Sequence, residues 1–514
     1  MARFGWLAGA VVATAAAALW LWATSMPLGL PGEWTWPRLP ADAQSGWNIL
    51  LAGMAAGLYL VFIILGSQRL ANPRLRHREA AAWLTGLAVA SLGWLWSVQE
   101  TAPSAGQLAK TPFILYYPSS SGYFYKARYE SPRIGPFLAG YEDLMRQGDV
   151  LHVGTHPPGL FVVFHGLTAM VQRWPMLGDA AWFLAPMSVR EATAVVMDNT
   201  RMSGHPLSPA DAQVLWLAML LAMTLTAATV APLYGLLRLQ LPRDAAFSGA
   251  ALWPAVPAAA VFLPKSDAAF PFLSALLAWL VLTAWRRESR IRAALAGGVL
   301  FVGLFCSLAF LPVALWLSLV VGSDAVRRMR SQESQTGRVL LWVACGMAGF
   351  LVPVLLLAIA CDLPLHRIWW WNYRNHAGFY AEYPRTYWKW LFVNPVELAL
   401  AAGAPLMTFA LAGLRHISRG AQADGIGRLA AWWGVAVWAL LWLTGKNSGE
   451  AARLWLLFMP GLVWMAAVGA SSLFGPSQGD TRWNVRGVWA CLLLQLAACV
   501  LTVHRVGGFH FEAP

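Results

Sequence analysis

Stretches of roughly 20 apolar residues recur from one end of the chain to the other, and each is long enough to cross a bilayer as an α-helix. This repetition is the feature that most limits the fold. Charged residues make up 12% of the chain, and soluble proteins usually carry about twice that fraction. We therefore expect an all-α, polytopic membrane protein built as a helical bundle.

About thirteen segments approach the length of a membrane span. They are residues 5–24, 47–66, 81–98, 209–236, 245–262, 268–285, 293–307, 309–323, 339–360, 394–414, 429–443, 454–473 and 487–503. The segments 293–307 and 309–323 are short. We divide the chain into two additional N-terminal helices in residues 1–80 and a larger transmembrane module in residues 81–514, which includes a long outer loop at 99–208.

The arginines indicate an orientation. They crowd the short connections at 69–78, 286–292 and 327–338, and alternating spans place all three on one side. Cytoplasmic loops accumulate Lys and Arg, so we expect an inner (plasma) membrane protein with a cytoplasmic N-terminus and a periplasmic C-terminus. On this topology 20 arginines and no lysines face seven acids inside, which accounts for the whole net charge of +13. The basic composition thus reflects topology, and nucleic acid is not expected as a partner.

The long loop is predicted to carry two helices that lie along the membrane surface. The first begins at Pro136 and places five apolar residues on one face: Phe137, Leu138, Tyr141, Leu144 and Met145. The motif Thr155-His156-Pro157-Pro158-Gly159 opens the second, which covers 160–171, with Thr155 as the expected N-cap. His156 is a candidate substrate-binding residue, although a simple capped helix start explains the same motif.

Two short outer connections bring charge close to the membrane. The turn Pro264–Asp267 carries Lys265 and Asp267, and ionisable groups at that depth are often functional. The segment Lys446–Arg453 offers two cations suited to a phosphate, with Glu450 between them. The alternatives are a solvated hairpin tip for the first and interfacial snorkelling for the second.

A third outer segment, 369–390, mixes aromatic rings with cations, among them Arg374 and His376. Such a surface can stack a sugar ring and bind a lipid phosphate, whereas an aromatic interface belt has a similar composition.

The order of these features resembles the integral-membrane type C (GT-C) glycosyltransferase superfamily, in particular the protein O-mannosyltransferases and the aminoarabinose transferase of lipid A. The resemblance covers about residues 81–503 and rests on four features: the outer loop with two surface helices, the element at Thr155–Gly159, the acid-bearing turn at Pro264–Asp267 and Arg453 before a late span. It implies transfer of a sugar from a polyprenyl-phosphate donor to a glycan, lipid or protein acceptor at the outer face. Membrane lipids are further expected partners. A carboxylate would serve as general base, and cations would hold the lipid phosphate. Some members use a divalent cation, so the resemblance leaves a metal cofactor open.

One departure concerns the base. Relatives usually carry an acid early in the loop, but the aromatic stretch Tyr116–Tyr125 contains none. The candidates are Glu100, Glu130, Glu142, Asp143, Asp149 and Asp267. We rank Asp267 and Glu130 first and keep Asp143, on a polar helix face, as a third.

Two other classes of function remain open. A transporter or lipid flippase fits the composition, but it predicts internal pseudo-symmetry and ionisable groups in mid-span, and the sequence has little of either. A non-catalytic membrane assembly protein is favoured by the missing early acid.

Overall fold

The structure, a computed structural model, describes residues 2–41, 44–331, 336–419, 425–473 and 484–510. Most of these residues lie in helices, in agreement with the long apolar runs of the sequence. The α-helices are α1 (Ala2–Ala23), α2 (Ser45–Leu70), α3 (His77–Glu100), α4 (Lys110–Tyr116), α5 (Tyr123–Tyr125), α6 (Ile134–Ala139), α7 (Tyr141–Arg146), α8 (Gly159–Arg173), α9 (Pro175–Phe183), α10 (Met187–Thr200), α11 (Pro209–Ala228), α12 (Val230–Leu237), α13 (Arg243–Ala250), α14 (Pro257–Val261), α15 (Phe270–Arg286), α16 (Arg290–Cys306), α17 (Phe310–Ser331), α18 (Thr336–Cys361), α19 (Leu365–Glu382), α20 (Tyr387–Ala402), α21 (Ala404–Arg419), α22 (Gly425–Leu443), α23 (Ala451–Leu454), α24 (Met459–Leu473) and α25 (Val485–Val503).

Between α1 and α2 the chain forms an antiparallel β-hairpin from β1 (Leu28–Leu30) and β2 (Trp34–Trp36), with Gly29 opposite Thr35. Short helical turns of other types occur at Ser104–Gly106, Lys126–Glu130, Trp253–Ala255, Ser266–Ala268 and Leu456–Phe458.

Among the described residues, ten helical segments are long and apolar enough to cross a membrane. They are Phe4–Ala23, Ser45–Leu70, His77–Glu100, Pro209–Leu237, Ser266–Arg286, Phe310–Arg330, Thr336–Cys361, Gly425–Leu443, Leu456–Leu473 and Val485–Val503. The pair α20 and α21 adds an eleventh if it is one bent span. The chain is thus a multi-pass membrane protein by the length and hydropathy of its helices.

Two of the thirteen sequence segments take a different form. Segment 245–262 is broken into α13, a short turn and α14, because Pro254 and Pro257 cannot donate backbone hydrogen bonds. Segment 394–414 bends by 103° between α20 and α21. There Gly403 has a φ of 93°, which glycine adopts without a steric penalty. Segment 293–307 forms one continuous helix, α16, and its 17 residues agree with the expected short length.

The N-terminal helices share a core with the C-terminal ones. Helix α1 packs against α21 and α25, and α2 packs against α3, α13 and α25. Ala52 and Tyr59 of α2 belong to the same buried cluster as Phe409 of α21 and Leu492 of α25. Residues 1–80 therefore contribute to the main bundle.

The long loop folds onto a second buried cluster. The chain predicted as one helix from Pro136 forms α6 and α7, which meet at Gly140. Of its predicted apolar face, Phe137, Leu138, Tyr141 and Met145 are buried. The expected N-cap is wrong: α8 begins at Gly159, and the Thr155 hydroxyl instead donates to the carbonyl of Leu151, since Thr155 lies a full turn before the helix. Placement of these helices along a membrane surface stays a prediction.

The bundle has two chemically different ends. Helix α15 runs from Phe270, next to the Lys265 turn, to Arg286. Helix α16 returns from Arg290 to Cys306. We call the end at Arg286 and Arg290 the arginine-rich end.

Candidate functional site

Three segments meet at the end of the bundle opposite the arginine-rich end. They are the histidine loop (149–158), the lysine turn (264–268) and the Glu450 segment (445–453). Asp267 and Arg453 both act electrostatically on the pKa of His156 and on that of Tyr123. Charges shift a neighbour's pKa appreciably only at short range in a protein interior, so these side chains form one cluster.

The histidine loop is held from inside by Asp149. Its carboxylate accepts hydrogen bonds from the backbone N–H groups of Leu151, Val153 and Gly154 at 2.9–3.0 Å. Gly154 is required here, because a Cβ would collide with the backbone carbonyl of Asp149. Asp149 thus shapes the loop, with both carboxylate oxygens in use.

Helix α19 holds the same loop from outside. The amide of Asn375 donates to the carbonyls of Met145 and Gly154, both at 2.9 Å. The amide of Asn372 donates to the carbonyls of Gly154 and His156, at 2.9 and 3.1 Å. Both asparagines are buried, so these bonds form in a low-dielectric environment where each counts for more.

His156 is fixed in one orientation. Its Nδ1 lies 3.2 Å from the carbonyl oxygen of His152, which can only accept, so Nδ1 carries the proton and Nε2 is left as an acceptor. Its own carbonyl accepts from the Tyr141 hydroxyl at 2.7 Å. Burial lowers the pKa of His156 to about 4, against the opposing influence of Asp267. The imidazole is therefore neutral at physiological pH.

The lysine turn leads directly into α15. A cis peptide bond joins Leu263 to Pro264, and the next residue, Lys265, is 9% exposed. Burial, together with Arg453, lowers the pKa of Lys265 to about 7. Its Nζ lies 5.8 Å from the centre of the Phe509 ring. Lys265 can therefore gain or lose a proton near neutral pH.

The Glu450 segment places a partly buried arginine beside the cluster. Three residues with positive φ turn the chain before α23: Gly445, Asn447 and Gly449. Arg453 then pairs with Glu450 at 2.6 Å. Burial disfavours its charge, but Glu450 and Asp267 hold the pKa of Arg453 above its usual value. Its Nε has no hydrogen-bond partner among the described residues, so a donor is left over.

Asp267 is the uncommitted carboxylate of the cluster. Within the described residues its carboxylate makes no ion pair and accepts no hydrogen bond, although His156, Lys265 and Arg453 all respond to its charge. Glu450, by contrast, is paired with Arg453. Both carboxylate oxygens of Asp267 are therefore available to a bound group.

The structure brings five predicted site residues together: His156, Lys265, Asp267, Glu450 and Arg453. Two more predicted site residues, His376 and Lys446, lie at the edge of this cluster. Burial and the charge of Lys446 lower the pKa of His376, which Glu450 opposes. Lys446 also lies over the Tyr373 ring, 5.9 Å from its centre.

Three other predicted site residues make their contacts elsewhere. Glu130 pairs with Lys126 at 2.7 Å and is 46% exposed. Asp143 pairs with Arg146 at 3.1 Å and is 79% exposed. Arg374 is exposed on α19 and stacks on Trp371, next to the buried Asn375 but on another face.

Two members of the cluster were not among the predicted site residues. Tyr123 is buried, and burial and Asp267 raise the pKa of its hydroxyl well above its usual value. His152 is partly buried, and desolvation, Lys265 and Arg453 keep its imidazole neutral by lowering its pKa. The spacing of His152 and His156, four residues apart, was visible in the sequence and could have indicated the pair.

A long apolar cavity of about 440 Å³ begins beside this cluster. Trp455, two residues after Arg453, lines it, and so do Trp442 and Gly427 of α22. The 15 residues from Gly427 to Trp442 correspond to about 22 Å of helix. The cavity ends at Arg286, at the arginine-rich end.

The possible divalent cation finds no ready site. Within the described ranges, no group of three or more His, Cys, Asp or Glu side chains is placed to hold a metal ion.

Comparison with protein-family models, curated proteins and solved structures found no match for the chain.

Proposed function

We propose that this protein is a membrane glycosyltransferase that moves a sugar from a polyprenyl-phosphate donor to a glycan, lipid or protein acceptor. The observation that carries the proposal is the free carboxylate of Asp267, which lies in one partly buried cluster with His156 and Arg453. A base and a phosphate-binding cation at the same place are what such a transfer needs. The resemblance to the GT-C superfamily points to the same reaction.

In the proposed reaction, the acceptor oxygen attacks the anomeric carbon of the sugar. The acceptor O–H proton moves to the Asp267 carboxylate, the bond from the anomeric carbon to the phosphate oxygen breaks, and the lipid phosphate leaves with that electron pair. Attack opposite the leaving group inverts the configuration. Arg453, with one unpartnered N–H, and Lys265 stabilise the departing phosphate.

The apolar cavity is suited to the lipid chain of the donor. Its walls are chiefly aliphatic and aromatic, and Trp455 joins it to the segment that carries Arg453. A polyprenyl chain in the cavity would therefore have its phosphate close to the cations. Because the cavity is continuous over much of the bundle, it can hold several isoprene units.

The decisive experiment measures transfer of radiolabelled sugar from polyprenyl-phosphate donors in proteoliposomes. Asp267→Asn should lower the rate by about 10²–10⁴-fold, the usual contribution of a general base. Asp143→Asn, the matched control on an exposed aspartate, and Glu130→Gln should each change it less than about twofold, because surface charges act weakly at a distance. A large loss in either control with full activity in Asp267→Asn would overturn the assignment of the base.

Movement of the lipid itself is the second candidate function, because the apolar cavity reaches from Trp442 to Arg286. The same vesicles distinguish the two. Transfer of fluorescent polyprenyl phosphate between leaflets without any glycosylated product would identify a flippase. A chain with neither activity would correspond to the third hypothesis, a membrane assembly protein.

We further propose thirteen crossings, with α13–α14, α16 and the bent pair α20–α21 each crossing once. On this topology the arginine-rich end lies in the cytoplasm and the candidate site in the periplasm of an inner membrane. Alkaline phosphatase fused after Pro514 should be active, since that enzyme folds only outside the cytoplasm. An inactive fusion that is well expressed would reverse the orientation.

A further inference from the structure

A second cavity, of about 110 Å³, lies at the arginine-rich end, far along α15 from the candidate site. It is formed where four helices end, namely α15, α16, α17 and α18. Its walls include two indoles, three guanidinium groups and one carboxylate: Trp285, Trp342, Arg290, Arg328, Arg338 and Glu288.

The cavity has a surplus of positive charge. Arg328 is committed to Asp324, with Nε 2.8 Å from the carboxylate, and it stacks on Trp285 at 4.8 Å. Arg338 and Glu288 are 3.4 Å apart, with 69% and 49% of their side chains exposed, and such an exposed pair contributes little.

Arg290 makes no ion pair within the part of the chain that the structure describes, and it is exposed. Two of the three guanidinium groups can therefore turn to a bound anion without losing a strong contact.

The aromatic wall supplies a further donor. Trp342 packs edge-on against Trp285 with ring centres 5.3 Å apart. Its indole N–H is buried and has no acceptor among the described residues. A buried donor without a partner is costly, so a small shift of the indole that brings its N–H to an acceptor oxygen in the cavity would relieve that cost.

The position of the cavity indicates the source of that oxygen. It lies at the ends of four apolar helices, the level at which lipid headgroups meet a membrane protein. Next to it, α18 packs against α16, and exposed apolar side chains cover its other faces, Leu340, Leu341 and Val343 among them. Acyl chains can lie along this surface while the headgroup enters the cavity.

We propose that this cavity binds the phosphate of an anionic phospholipid in the leaflet at the arginine-rich end. Arg290 and Arg338 bind the phosphate oxygens, and Trp342 donates its indole N–H. The cavity has the volume of about three to four water molecules, which is enough for one phosphate group. Basic pockets between transmembrane helices bind anionic headgroups in this way.

The test measures phosphatidylglycerol binding to the full-length protein in neutral detergent by native mass spectrometry, with phosphatidylcholine as the zwitterionic comparison. The double variant Arg290→Gln/Arg338→Gln should weaken phosphatidylglycerol binding at least tenfold. Arg74→Gln/Arg415→Gln removes the same charge from two exposed arginines outside the cavity and should bind as the wild type does. Trp342→Phe should weaken binding about threefold while leaving the charge unchanged.

Competition with inorganic phosphate distinguishes a lipid headgroup from free phosphate as the bound ligand. Retention of phosphatidylglycerol in the presence of millimolar inorganic phosphate supports the lipid, whereas displacement by phosphate supports the same site with free phosphate as its ligand. Equal losses in the two double variants would overturn the proposal, because net charge alone would then govern binding. If the double variant does not fold, Arg290→Gln alone provides the test, since Arg290 supports no ion pair of the described structure.

Discussion

Acidification should destabilise this protein through His156, because the folded state holds that imidazole neutral. Its pKa is about 4 in the folded chain and about 6.5 in an unfolded one. Between these values the unfolded state binds more protons than the folded state, so stability rises with pH across this window and falls as pH drops through it. Below about pH 4 both states are protonated and the loss stops.

The size of the effect follows from the same two values. From pH 7 to pH 5 the unfolded histidine becomes almost fully protonated while the folded one hardly changes. At about 1.4 kcal/mol per pH unit, the loss of unfolding free energy from this residue is about 2 kcal/mol. Desolvation also lowers the pKa of His152 and of His376, so these two residues add to the loss in the same direction.

The assay compares reversible unfolding in mixed micelles of wild type and His156→Gln at pH 7 and pH 5. The glutamine cannot titrate, so the variant should lose about 2 kcal/mol less than the wild type on acidification. His77→Gln, at an exposed histidine, is the control and should keep the wild-type loss. Equal losses in wild type and His156→Gln would refute the reasoning, because His156 would then not be held neutral by folding.

Three further predictions concern the contacts that assemble the bundle and the site. In a thermal unfolding assay, Gly297→Ala should lower the unfolding free energy by about 1–3 kcal/mol, because the added Cβ would collide with the backbone of Gly346 on α18. Gly298→Ala, where a Cβ has ordinary contact distances, should leave the unfolding free energy unchanged. Asn375→Ala removes two buried hydrogen bonds to the histidine loop and its support, and hydrogen exchange of 149–158 should quicken at least tenfold, in line with about 1–3 kcal/mol per unsatisfied group. Glu33→Gln weakens the bonds from the hairpin to the start of α20, so protease cleavage near that junction should increase; an unchanged cleavage pattern would show that the hairpin does not hold α20.

How much of the fold could be read from the chain depends on how local its cause is. Helix type and the approximate positions of the spans follow from continuous apolar runs, which need no information about neighbours. The break at Pro254 and Pro257 also has a local cause, but the continuous hydropathy of 245–262 predicted one unbroken span. The bend at Gly403 depends on packing, since Gln495 of α25 fills the space where a side chain would be.

The candidate site likewise combines features that the sequence predicts with features that depend on packing. From the sequence alone we predict that His156, Lys265, Asp267 and Arg453 lie on one face of the membrane, because the alternation of spans assigns each loop to a side. Only the tertiary structure decided that these residues meet and that Glu130 and Asp143 pair with cations on their own helices instead. The side of the membrane on which a loop lies depends on the order of the spans along the chain. The meeting of the site residues depends on helix packing between residues more than a hundred positions apart.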